Sequence, residues 1–322
     1  EFFNESIERF SSLFRFKPGY IACDLHPDYY STRYASELGK KLGIPVIGVQ
    51  HHHAHIVSAM AEHGLTDKVI GISLDGTGYG TDGNIWGGEF LIADTEQFER
   101  FTHFDYVAMP GGDMAVEEPW RMTFSYLYKY FGEDLDYKSL PSFRNVPDKN
   151  LAAVREIMLK NINCPLSSGA GRLFDAVAGL LGICLISTFD AEAPMRLEAA
   201  AGHSTETYYP FRMGGTVDFS ETLKSIIDDL PDTELSVISA RFHNTIAQAV
   251  LEGAIRIRKE TGIDKIVISG GVFQNKYLAE KTIHKLTMSK FKVFANHLVP
   301  SNDGGIALGQ LVVASKKSGL CA

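Results

Sequence analysis

The chain has 322 residues, 45% of them hydrophobic and 22% charged, with 30 glycines and a formal net charge of −8. That length predicts two domains or one two-lobed one, and the acidic balance argues against a nucleic-acid partner. No apolar run reaches the roughly 18 residues of a membrane span, so no membrane partner is expected. Cys23, Cys164, Cys184 and Cys321 lack CxxC spacing, which argues against a disulfide framework and for reduced, cytoplasmic protein.

In chain order, residues 2–16 read as an amphipathic helix, ended by Pro18-Gly19. A strand over 20–24, a helix over 28–42 and a strand over 45–50 follow. Next comes Val49-Gln50-His51-His52-His53-Ala54-His55, running into the helical spacing of residues 56–61. On a helix His51 and His55 share one face, roughly 5–6 Å apart at Cβ, so both imidazoles can reach one ion. The same run is also compatible with a plain polar helix start. An H-E-x-x-H zinc protease is excluded, because no glutamate lies between the two histidines.

Residues 68–75 form an apolar strand ending in Asp75. Gly76-Thr77-Gly78-Tyr79-Gly80 and the residues to Gly83 read as a glycine-rich turn, with a returning strand over 86–93 and a third over 100–108. Glycines there can close backbone N–H groups on phosphate, or simply make a hairpin. Residues 110–190 read as a helical insertion. Within it, Gly169-Ala170-Gly171 opens a helix carrying Asp175, whose carboxylate can bond a ribose or serve the helix dipole. Residues 236–260 make a long helix.

The last eighty residues repeat the form of the first sixty-five. A strand over 266–269 leads through Gly270-Gly271 and the capping candidate Asn275 to a helix over 275–289. A strand over 292–295 and a helix opening at Ser301-Asn302-Asp303-Gly304-Gly305 complete the unit. The two strands of each unit start at nearly the same separation, so the histidine helix and the Asp303 helix occupy equivalent places in two related lobes. Ligands bind at strand ends of such sheets, which predicts that His51, His55 and Asp303 meet in one cleft. The first lobe shows no opening meander like that of the second, and the chain has no initiator methionine. The expectation is a fragment or processed form that lacks the first lobe's N-terminal strands.

Val49–His55, Asp75–Gly80, Ser168–Asp175, Gly270–Asn275 and Ser301–Gly305 together resemble the hydrogenase-maturation carbamoyltransferases of the actin-like, sugar-kinase and heat-shock-ATPase superfamily. The sister tRNA threonylcarbamoyl transferases carry a glutamate-glycine pair where this chain has His53-Ala54. The resemblance implies an α/β fold of two actin-like (ribonuclease H-like) lobes around a nucleotide cleft. Residues 1–65 would be a partial first lobe and 66–322 the second, with the insertion at about 110–190 and the last helix returning toward the cleft. His51, His55 and Asp303 match metal ligands and Asp75 a further one, the set expected to be catalytic with zinc or iron. Asp175, Glu198, Gly270, Gly271 and Asn275 match positions that hold adenosine; Gly76, Thr77, Gly78 and Gly171 join them as candidates for nucleotide contact, with ATP, AMP or carbamoyl-adenylate as ligand. The implied reaction moves a carbamoyl group from carbamoyl-adenylate to the C-terminal cysteine of a HypE-like partner, for cyanide synthesis in [NiFe]-hydrogenase maturation. The family's remaining domains are further expected partners. Threonylcarbamoyl transfer to tRNA and a non-catalytic nucleotide-binding module are the alternatives.

Overall fold

The computed structural model describes residues 2–202 and 205–319, so Cys321 lies outside the described residues. The chain begins with α1 (Phe2–Phe14), β1 (Ile21–Asp24), α2 (Tyr30–Leu42), β2 (Val46–Val49) and α3 (His51–Glu62). β1 and β2 pair in parallel, Ile21 opposite Val46, as a small separate sheet. An antiparallel meander follows, β3 (Val69–Tyr79), β4 (Ile85–Ala93) and β5 (Phe98–His103), then β6 (Val107–Ala108). Next come α4 (Met114–Glu117), α5 (Pro119–Phe131), α6 (Asp148–Leu159), β7 (Leu166–Ser167), α7 (Ala170–Leu180) and α8 (Glu192–Ala200). A ribbon of β8 (Arg212–Met213) and β9 (Val217–Asp218) leads to α9 (Ser220–Asp229) and the long α10 (Leu235–Thr261). The closing unit is β10 (Lys265–Ser269), α11 (Lys276–Met288), β11 (Lys292–Ala295) and α12 (Ile306–Ser318).

The large sheet has strand order β11-β10-β3-β4-β7-β6, with β5 beside β4. β10 pairs in parallel with both β3 and β11, so the closing unit repeats the parallel β1–β2 design. The architecture is mixed α/β and actin-like. Among the described residues, no helix is long and apolar enough to cross a membrane.

Each terminal unit gives its last helix to the other's sheet. α3 follows β2 yet packs on β3, β4 and β10, while α12 follows β11 and packs on β1 and β2. The two helices meet at the seam, where Ser58 Oγ donates to Gly305 O at 2.8 Å. Residues 51–60 of α3 are all buried, as a helix clasped on every side requires. Its start is fixed by Gln50, whose side chain accepts from the His53 N–H at 2.9 Å. Its far end holds the approach to α12, because Glu62 accepts from the backbone N–H groups of His297, Leu298 and Val299.

Three readings of the sequence need correction. The glycines after Asp75 do not form the turn expected there; β3 runs on through Tyr79, and the tight turn comes at 80–83. The ladder to β4 is irregular between Leu74 and Gly78, a bulge that re-aims Asp75. The glycines serve close approach by side chains instead. A Cβ on Gly78 would stand 2.5 Å from His52 Cε1 and 2.7 Å from His51 Cδ2. Secondly, the strand expected over 100–108 splits, because β5 ends at His103, Phe104 bridges to Val217, and only Val107–Ala108 pairs with β7. Thirdly, the stretch at 110–190 is not wholly helical, since β7 lies inside it and extends the sheet.

Candidate functional site

His51 and His55 stand one turn apart on α3, Asp75 at the bulge of β3, and Asp303 in the short 3-10 turn that opens α12. One ligand atom from each lies within 4.8 Å of all the others. His51 Nε2 is 3.2 Å from Asp75 Oδ2 and 3.4 Å from Asp303 Oδ1. His55 Nε2 is 3.1 and 3.3 Å from the same two oxygens. Two donors bound at 2.0–2.1 Å to a tetrahedral ion stand about 3.3 Å apart, so these separations fit a shared zinc or iron. His52 and His53 point elsewhere, His52 toward Gln50 and His53 Nε2 onto Asp94 O.

Electrostatics support the same grouping. Burial would push His51 down, but hydrogen bonds to Asp24, Asp303 and Asp75 outweigh it and hold the imidazolium to about 12. His55 is raised against its burial by Asp303 and Asp75. Asp75 is buried too, yet the two histidines hold it well below the usual carboxylate range. Their hydrogen bonds lower Asp303 as well. A cluster that gathers positive charge this strongly in protonated form can exchange its protons for a dication.

Asp24, at the end of β1, went unnoticed in the sequence. Its Oδ2 accepts a hydrogen bond from His51 Nδ1–H at 2.8 Å, leaving Nε2 to face the other carboxylates. Such a carboxylate fixes the tautomer and orientation of a metal-binding imidazole. The available signal was an acid closing a strand, the same signal that pointed to Asp75. Asp24→Asn is therefore expected to weaken zinc affinity by about 10- to 100-fold without unfolding the chain. Competition against a fluorescent chelator measures this; an unchanged affinity would return Asp24 to capping the His26 N–H.

A cavity of about 690 Å³ opens beside the cluster, lined by Asp75 and Asp303 themselves. Of the residues expected to touch nucleotide, Gly76, Thr77, Gly171, Glu198, Gly271 and Asn275 line it. Gly78 lies under the histidine rings instead. Gly270 adopts φ +106°, and a Cβ there would stand 2.3 Å from Leu74 O, so it lets the β10 turn close on β3. Gly271 N–H then reaches Asp75 Oδ1 at 3.3 Å. Glu198 accepts from the N–H groups of Lys276 and Tyr277, at 2.7 and 3.2 Å, and so caps α11. Asp175 lies behind the wall rather than on it, pushed up to about 6 by burial against the pull of Arg172.

Asn275 is pinned from behind. Its Oδ1 caps α11 at Leu278 N, and its Nδ2 donates to His243 Nε2 at 2.9 Å. His243 Nδ1–H donates to Ser239 O, so the ring must be neutral, and burial lowers it to about 4. A histidine lowered in the folded state makes no demand above about pH 6.5 and removes stability as pH falls toward 4. The loss should reach about 2 kcal/mol by pH 5. Urea midpoints of wild type and His243→Gln at pH 7 and pH 5 check this, the wild type falling further. Equal slopes would assign the acid loss elsewhere.

These features define a class: an actin-like α/β protein with a two-histidine, two-aspartate cluster at the edge of a ligand-sized cavity lined by β3, α7, α8 and the closing unit. Residues 71–310 match a family described as "Carbamoyltransferase, Kae1-like Domain, second subdomain", and residues 1–62 match "HypF Kae1-like domain". The chain belongs to the HypF carbamoyltransferase family. It is 36% identical to the Synechocystis carbamoyltransferase HypF over 96% of its own length and 42% of that relative's. A Cupriavidus necator protein named as a HypF homolog is 35% identical, with 92% of this chain matching 78% of it. A crystal structure of full-length HypF in a phosphate- and nucleotide-bound form superposes with a TM-score of 0.90 at 43% identity, covering 97% of this chain and 49% of that one. The chain thus spans about two-fifths of the Synechocystis relative's length.

Proposed function

We propose that the chain is a carbamoyl-transfer module that takes carbamoyl-adenylate in its cavity and delivers the carbamoyl group to the C-terminal cysteine of a HypE-like partner. The observation that carries this is the overlap of the two features: Asp75 and Asp303 belong both to the four-donor cluster and to the cavity wall. Family membership and the nucleotide-bound full-length HypF support the ligand class.

His51, His55, Asp75 and Asp303 would hold a divalent ion, zinc or iron, which when bound supplies positive charge beside the reacting ester. The turns bearing Gly76 and Gly271 bring backbone close to the same place, joined there through Asp75 Oδ1, which also accepts from Gly76 N–H at 2.8 Å. Pro194 and Met195 on α8 give the adenine an apolar surface, and Asn275 and Glu198 bound its outer end. The acceptor sulfur attacks the carbamoyl carbon; the C–S bond forms, the C–O bond to phosphate breaks, and AMP leaves with the electron pair. No histidine of the cluster is free to act as base. The thiol loses its proton to solvent beforehand, which a group of pKa about 8.5 does readily enough. The remaining domains of the longer relatives would supply carbamoyl-adenylate, and the product thiocarboxamide would serve cyanide synthesis in hydrogenase maturation.

The test supplies zinc-loaded chain with preformed carbamoyl-adenylate and a peptide ending in cysteine, with mass spectrometry of the peptide. The expected result is a carbamoyl adduct on the terminal sulfur that requires the chain and disappears with His55→Ala. An adduct yield no higher than in the chain-free control would overturn the reading.

A further inference from the structure

Arg172 occupies the first turn of α7 and lines the cavity between the β3 bulge and α8, yet neither the cluster nor the cap of α11 uses it. The residue is only 7% exposed. A buried guanidinium normally finds hydrogen-bond acceptors for its five N–H groups. Among the described residues Nε and Nη1 have none. Asp175 Oδ2 lies 2.8 Å from Nη1, but the pair is misaligned, and that oxygen also has no hydrogen bond. Nη2 points at Gly76, standing 3.0 Å from where a Cβ on that residue would sit. The missing Cβ leaves the guanidinium open toward the backbone beside Asp75.

We infer that Arg172 is the binding residue for the phosphoryl group of the nucleotide, gripping it from the wall beside Gly76. This rests on the nucleotide reading above and adds the group that recognises its anion. A guanidinium in the wall whose ion pair with Asp175 leaves its N–H groups without aligned acceptors is matched by an anion that presents two oxygens side by side, which a phosphate offers. The placement also separates duties: the cluster reaches the ester through Asp75, while Arg172 meets the phosphate across the Gly76 backbone. Once the carbamoyl group has left, the same fork holds the dianionic product AMP more strongly than the ester. Arg172 therefore bears on product release as well as on capture.

Calorimetry with adenosine and with AMP, at equal zinc loading, separates the possibilities. Wild type should bind AMP more tightly than adenosine. Arg172→Met should weaken AMP by about 10- to 100-fold, the loss of a charge-assisted hydrogen bond, and leave adenosine within about twofold. Arg172→Lys keeps the charge beside Asp175 but loses the fork; a roughly 10-fold loss for AMP is expected, and it gives an answer even if the methionine variant does not fold. Equal losses for both ligands would make Arg172 a wall residue only, and no loss for either would overturn the assignment. If wild type binds neither ligand, the nucleotide reading itself falls and takes this assignment with it.

Discussion

His55→Ala should abolish tight zinc binding and with it the stabilisation that the ion gives the folded chain. His55 is 1% exposed and its Nε2 faces both carboxylates, so its loss removes a pre-oriented donor from the cluster. Removing a ligand should exceed the 10- to 100-fold loss typical of its supporting groups, so a drop of more than ~100-fold is expected. For wild type at 1,000 times its Kd, the bound ion adds about 4.1 kcal/mol to stability. A chelator should therefore lower the melting temperature of wild type and leave that of His55→Ala unmoved. A chelator shift of the same size in both proteins would remove His55 from the metal centre.

The second large effect is steric and lies outside the cluster. Gly309 on α12 faces α3 so closely that a Cβ would stand 1.9 Å from Ala54 O and 2.8 Å from Ser58 N. Both are backbone atoms in the helix that carries the histidines, and neither can swing aside. Gly309→Ala must push α12 off α3, at a cost near the upper end of overpacking, about 3 kcal/mol. Since Asp303 leads directly into α12, the shift also draws its carboxylate away from both imidazoles. The urea midpoint and the zinc affinity should fall together. Gly215→Ala, with no atom within 4 Å of the added methyl, is the control and should stay within about 0.5 kcal/mol. A Gly309→Ala protein as stable as that control would show that the seam yields without strain.

The comparison of sequence with structure divides along the range of the interactions. Apolar runs and helical spacing made the two terminal units readable, because period and strand length are local properties. Equal strand separation in the two units was enough to bring Asp303 toward His51 and His55, since both helices start where parallel strands end. The stretch after Asp75 was misread because glycine serves a turn and a close contact equally well in sequence. Only the rings of His51 and His52 over Gly78 distinguish the two. Asp24 and Arg172 escaped for a related reason. Each has its nearest neighbours in the site on another element, His51 for one and Gly76 for the other, and no spacing along the chain records that.

The exchange of α3 and α12 between the sheets also sets when the four-donor cluster can assemble. Ser58 and Gly305 are 247 positions apart, and Gly271 reaches back 196 positions to Asp75. Contacts of such separation form late, after the long intervening loop has been closed by the pairing of β10 with β3. A nascent chain that has emerged from the ribosome as far as α10 already displays both histidines, but α3 has neither β10 beneath it nor α12 beside it. Its imidazoles then sit on an incompletely covered helix, open to any stray ion. Any selective capture of an ion by the cluster would thus wait for α12, the helix that closes it.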